Sequence, residues 1–105
     1  MVDEPSLRQI QDNIDDWILN HGGYWDPLAM LAAVMEELGE LSREINHLEN
    51  IKPKKNKKSG NKIPEELADL LFSLICIANH YKVDLNKGLN DTLRKYSTRD
   101  SKRFI

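Results

Sequence analysis

Two acidic runs with the same internal spacing, Glu36-Glu37-Leu38-Gly39-Glu40 and Glu65-Glu66-Leu67-Ala68-Asp69, are the residues of this chain best suited to chemistry. Each holds carboxylates at i and i+3, Glu37 with Glu40 and Glu66 with Asp69. On a helix such neighbours project side by side, about 5 to 6 Å apart at Cβ. Two helices facing each other therefore gather four oxygen ligands. Carboxylates crowded into an apolar bundle repel one another and lose hydration unless protons or a cation balance them. Mg2+ and Mn2+ favour carboxylate and water oxygens, so a hard divalent cation is the expected occupant.

The elements that must position these acids are helices. Ser6 is a good N-cap, and Leu7, Ile10, Ile14, Trp17 and Ile18 follow at helical spacing, until Gly22-Gly23 stops the pattern. Asp26-Pro27 restarts it as N-cap and first-turn proline. The second helix is expected from about Pro27 to Leu48, with Leu28, Leu31, Met35, Leu38, Ile45 and Leu48 as its core-facing stripe and Glu37, Glu40 and Glu44 as a parallel acidic stripe. Residues 50–63 break the periodicity with Pro53, Gly60, asparagines and lysines and read as a flexible loop. Pro64 opens a third helix, to about Tyr81, apolar on most sides and so expected to be buried. One polar line crosses it, Glu66, Asp69, Ser73, Cys76 and His80, at spacings that share a face. Asp84 caps a fourth helix to about Tyr96 carrying Leu85, Leu89 and Leu93, and residues 97–105 form a polar tail. No strand pattern competes. The expectation is an all-α, four-helix bundle forming one domain over residues 1–105.

The totals agree with that class and exclude others. A chain of 105 residues can build one core but is small for a deep pocket, which makes oligomerisation attractive. Hydrophobic residues at 40% and charged residues at 30% suit a globular protein rather than a disordered one. The formal charge is −2, yet six lysines lie between Lys52 and Lys62 without an acid among them, so the remainder is strongly acidic. A partner made of nucleic-acid polymer is not expected. No apolar run reaches the roughly 20 residues of a membrane span, and the N-terminus does not read as a signal peptide. The single Cys76, in an apolar run, reads as a packed free thiol, and a cytoplasmic location is the expectation.

Among metal chemistries the rival is a di-iron bundle, which uses two Glu-x-x-His motifs. One is present, Glu44-x-x-His47; a second is missing. An all-carboxylate set points instead to Mg2+ or Mn2+ and to phosphate-bearing substrates, which these ions clamp and polarise.

Glu36-Glu37-x-x-Glu40 followed by Glu66-x-x-Asp69, with Leu70-Leu71-Phe72 directly after the aspartate and Ala78-Asn79 about one helix length on, resembles the MazG-like nucleoside triphosphate pyrophosphohydrolases over about Trp17 to Arg103. The resemblance implies an all-α bundle, assembled as a homodimer or homotetramer. The implied activity splits a (deoxy)nucleoside triphosphate between its α and β phosphates, releasing a monophosphate and pyrophosphate. It implies Glu37, Glu40, Glu66 and Asp69 as metal ligands, and Glu36 as a leading glutamate that directs water or supports the ligands. Glu36 and Glu37 are the catalytic candidates, the general base being one carboxylate of this cluster. Lys95 and Arg99 resemble the basic pair late in the family pattern and are expected at phosphate, although they also fit as cations complementing a helix C-terminus. Asn79 matches a position near the base pocket, where its amide would read a base edge; a helix-end hydrogen bonder is its other reading.

Three further readings come from the residues alone. Lys54 and its neighbours Lys55, Lys57 and Lys58 are a candidate phosphate lid or an ordinary solvated charge run. Trp17 and Trp25 are candidate base stackers, although a tryptophan at the helical spacing of Trp17 is more often a core residue. His80 reads as a helix-terminal histidine. The competing function is a non-hydrolytic helical module that binds a nucleotide or a partner.

Overall fold

The protein is described here by a computed structural model covering residues 4–49 and 60–99. Four helices account for the secondary structure of these residues, and no strand occurs among them: α1 Leu7–Leu19, α2 Pro27–Leu48, α3 Ile63–His80 and α4 Leu85–Thr98. The starts follow local chemistry. Ser6 forms a capping box with Gln9 on α1, Asp26 accepts from the Leu28 N–H ahead of α2, and Asp84 accepts from the Lys87 N–H ahead of α4. Each carboxylate or hydroxyl satisfies a backbone donor that the helix itself leaves open. Gly22 and Gly23 adopt φ of 106° and 88°, a left-handed turn that suits glycine, and the Gly23 N–H returns to the Ile18 carbonyl.

The dominant packing is α2 against α3, with α1 on α3 and α4 on α1. Glu44 meets the start of α3 at Lys62, while Met30 near the start of α2 shares a cavity with Cys76 near the end of α3, so the two helices run antiparallel. The core is small: Met30, Leu41, Ile75, Cys76 and Ala78, with Ile75 only 2% exposed. Glu44 and Gln11 are buried beside it.

Two expectations about burial are corrected. The α2 stripe assigned to the core faces outward, with Leu28 at 76% and Met35 at 66% exposure and Leu31, Leu38, Ile45 and Leu48 exposed as well. The face turned to α3 is the neighbouring one, carrying Met30, Glu37, Leu41 and Glu44, because α3 must meet the acids. Likewise α3 is not buried all round, since Leu67, Leu71 and Leu74 remain exposed beside Ile75 and Ala78. A helix apolar over more than half its circumference has more surface than one chain can cover. The helix boundaries shift by little: α4 continues past Tyr96 to Thr98, whose hydroxyl donates to the Arg94 carbonyl. The lysine-rich stretch falls mostly outside the described residues, as does the end of the polar tail.

Candidate active site

The antiparallel register of α2 and α3 brings the two acidic runs together. One carboxylate oxygen from each of Glu37, Glu40 and Glu66 lies within 4.8 Å of the other two. Spacing on α2 supplies the first pair and the facing turn of α3 supplies the third. Desolvation comes first in pushing the Glu37 carboxyl above its ordinary range, followed by the charges of Glu40, Asp69 and Glu36. Glu66 is raised by desolvation, by a hydrogen bond shared with Glu40, and by the charges of Glu40, Asp69 and Glu37. Asp69 is exposed and stands at the rim, within electrostatic reach of both but outside the three-residue group.

This arrangement fits a cation on its own terms. Oε2 of Glu37 and Oε2 of Glu66 are both buried without a hydrogen-bond partner. A buried, unpartnered carboxylate oxygen is costly, and two sharing a site with like charges are costlier still. A bound divalent ion removes both penalties. The donor set is all oxygen, the preference of Mg2+ and Mn2+. Glu44 of the Glu-x-x-His motif is drawn elsewhere, accepting the Lys62 N–H at 3.2 Å with His47 Nδ1 4.0 Å away.

Directly beside the acids lies a cavity of about 450 Å3, lined by Trp17, Ile18 and His21 of α1 and its turn, Tyr24 and Trp25 of the α1–α2 connection, Phe72, Ser73 and Cys76 of α3, and Glu36 and Glu37 of α2. Glu37 belongs to both cavity and acid cluster. Trp17 stacks on His21 with ring centroids 4.2 Å apart and meets Phe72 edge-on at 6.4 Å. His21 Nδ1 contacts the Trp17 carbonyl at 2.6 Å, an i,i+4 link that holds the stack. Burial raises the Cys76 thiol above its usual range, consistent with a packed thiol rather than a nucleophile.

The remaining candidates are scattered. Trp17 and Trp25 line the cavity as aromatic walls. Asn79 does not line it: its amide donates to the Gln11 carbonyl at 2.9 Å and its oxygen accepts from Gln11 Nε2 at 3.1 Å. Lys95 lies over the Tyr96 ring at 4.7 Å and Arg99 is the C-cap of α4, a helix that packs mainly on α1. Lys54 lies outside the described residues. Sequence reasoning passed over His21, Tyr24 and Gln11. His21 stands four residues after Trp17, a spacing that signals a same-face pair, but Gln11 and Tyr24 carry no local signal because their partners are remote in sequence.

A family model for the MazG nucleotide pyrophosphohydrolase domain matches residues 26–104, which takes in both acidic runs and three of the four helices. The chain belongs to the MazG family. Bacillus subtilis YpjD, a protein without assigned function, is 38% identical over 104 residues, 98% of this chain and 94% of its own length. The crystal structure of YpjD, presented as a candidate pyrophosphatase, superposes with a TM-score of 0.84 over 92% of this chain and all of that one, at 38% identity. A Bacillus-conserved MazG protein, described as a nucleotide pyrophosphohydrolase, follows with a TM-score of 0.77 and 36% identity over 93% of this chain and 96% of that one. As a MazG-family chain it is a hydrolase acting on nucleotide pyrophosphate bonds, with the all-α fold expected of the family. No helix among the described residues is long and apolar enough to cross a membrane. The family match begins at Asp26, so α1, which supplies Trp17 to the cavity, lies outside it.

Proposed function

We propose that this MazG-family chain hydrolyses (deoxy)nucleoside triphosphates between the α and β phosphates, releasing a monophosphate and pyrophosphate, with Mg2+ or Mn2+ held by Glu37, Glu40 and Glu66 and by Asp69 at the rim. The observation that carries the reading is that Glu37 is at once a member of the oxygen cluster and part of the wall of an aromatic cavity. A phosphate chain laid along the acids thus has a slot for its base immediately beside it. The cation, when bound, supplies charge neutralisation for the phosphates and acidifies water. The protein's part is to hold it, to orient the nucleotide, and to accept a proton.

Trp17 and Phe72 offer faces and edges on which a base stacks, and Trp25 extends the wall. Glu36 lines the cavity beside Glu37 without joining the cluster, so its carboxylate is free to direct the attacking water and take its proton. Water oxygen bonds to the α-phosphorus, the bond to the bridging oxygen breaks, and pyrophosphate leaves with the electron pair. Lys95, Arg99 and Lys54 are the proposed cations for the departing pyrophosphate.

A second copy of the chain is the proposed cover for the exposed stripe Leu28, Leu31, Met35, Leu38, Ile45 and Leu48. Six large apolar side chains in a row along one 22-residue helix exceed what a monomer ordinarily leaves in water. A homodimer or homotetramer, working in the cytoplasm, completes the reading. Phosphorus NMR of a nucleotide panel, with Mg2+ and with EDTA, tests the reaction. Pyrophosphate and monophosphate are expected only with the metal; orthophosphate as the sole primary product overturns the proposal.

A further inference from the structure

A buried polar residue ties α1 to the rest of the molecule. Gln11, at 6% exposure, is the helix's single buried residue. Its Nε2 donates to the Asn79 oxygen and to the Val83 carbonyl, at 3.1 and 2.9 Å, and its Oε1 accepts the Leu85 N–H at 3.0 Å. One side chain therefore joins α1 to the last turn of α3, to the α3–α4 connection and to the first residue of α4. Asn79 returns the contact by donating to the Gln11 carbonyl. The Tyr24 phenol donates to Asp15 of α1, and its ring meets that of His80, next to Asn79, with centroids 6.3 Å apart. Burial above all, then the bond to Asp15, pushes the Tyr24 hydroxyl up to about 12. Tyr24 is thus a neutral hydroxyl donating to α1 at ordinary pH.

Tyr24 also lines the aromatic cavity, next to Trp25. The wall formed by Trp17 and His21 is carried by α1 and its turn. The tilt of α1, which carries the Asp15 partner of Tyr24, hence depends on Gln11 and Asn79, which do not line the cavity. We propose that Gln11, Asn79 and Tyr24 form a clamp that sets the spacing between the aromatic wall of α1 and the α3 side of the cavity, and that Asn79 and Gln11 are positioning residues for the nucleobase. This rests on the cavity being the base site. Asn79 then acts on the base through α1 rather than by reading its edge. Direct hydrogen bonds fix such a spacing well, because a buried amide that loses one partner leaves the others unsatisfied.

The test compares Tyr24→Phe, Asn79→Ala, the double variant, and Trp17→Leu as a probe of the cavity. Pyrophosphate release is followed with the four standard deoxynucleoside triphosphates and Mg2+. Tryptophan emission of the nucleotide-free protein is recorded in parallel, Trp17 and Trp25 being the chain's two tryptophans. Loss of one neutral hydrogen bond corresponds to about a three- to tenfold change. The expected result is a rise in KM of that size for Tyr24→Phe and for Asn79→Ala, with kcat within about twofold and a shifted emission maximum. The two variants break different bonds to α1, Tyr24 to Asp15 and Asn79 to Gln11, so the double variant raises KM beyond either single one. If Trp17→Leu raises KM while folded Tyr24→Phe and Asn79→Ala leave KM and emission unchanged, the clamp is merely structural and the proposal falls. If Trp17→Leu also leaves KM unchanged, the base-site reading fails and takes the clamp with it. Should Asn79→Ala not fold, Tyr24→Phe decides alone, because it removes only the hydroxyl.

Discussion

Glu37 and Glu66 face each other from α2 and α3 with ligand oxygens within 4.8 Å, and Oε2 of each is buried without a partner. Both carboxyls are raised above their ordinary range, first by desolvation and then by the acids around them. A pair of this kind is destabilising while ionised and becomes an asset when a cation is present.

The sign of the pH dependence follows from that. A carboxyl whose pKa is higher in the folded than in the unfolded chain binds protons more tightly when folded, so its stabilising contribution is complete below the unfolded pKa and disappears as pH rises through the folded one. In EDTA, Glu66→Gln is therefore expected to melt above the parent protein at pH 7, with the advantage shrinking as pH falls through the raised folded pKa and gone below about 4.5. Mg2+ is expected to raise the melting temperature of the parent and to do so far less for the variant. Calorimetric melts across pH, with and without Mg2+, measure both differences. A variant less stable than the parent in EDTA at neutral pH would refute the assignment of strain to this pair.

Glu40 and Asp69 occupy different positions, the first inside the oxygen group and the second at its rim. Glu40→Gln is expected to lower kcat/KM by at least about 100-fold, beyond the 10- to 100-fold typical of groups that only support a ligand. Asp69→Asn falls within that lower band. Pyrophosphate release at saturating Mg2+, with helicity checked by circular dichroism, ranks the two.

Ile75 is the most buried large side chain of the described residues and sits one turn after the cavity residue Phe72 and directly before Cys76. Truncation to alanine removes three carbons from a core too small to spare them. Ile75→Ala is expected to cost about 2–5 kcal/mol in urea unfolding. A loss under about 1 kcal/mol would show that this part of α3 does not anchor the fold.

The outward stripe of α2 is the surface that a second copy would bury. Leu38→Glu places a charge at its middle and is expected to shift the protein to the mass of a single chain in sedimentation equilibrium, with retained helicity. A parent protein that is already monomeric at micromolar concentration would remove the proposal.

Capping residues such as Ser6, Asp26 and Asp84, the glycine pair at 22–23 and the 3.6-residue periodicity were sufficient to place all four helices within about two residues, because each is a local effect of backbone hydrogen bonding. The spacing of Glu37 with Glu40 and of Glu66 with Asp69 likewise showed which acids share a helix face, since i and i+3 neighbours meet wherever the helix goes. Sequence alone could not choose which of the two adjacent stripes of α2 would meet α3. Periodicity assigned the leucines to the core, and tertiary packing turned the acids inward and left the leucines outside. The clamp of Gln11, Asn79 and Tyr24 was equally hidden, because Gln11 and Asn79 are 68 residues apart and no local pattern links them. What the chain determines unaided is the helix inventory and the chemistry on each face. Which faces meet is decided by the competition for a core too small to bury them all.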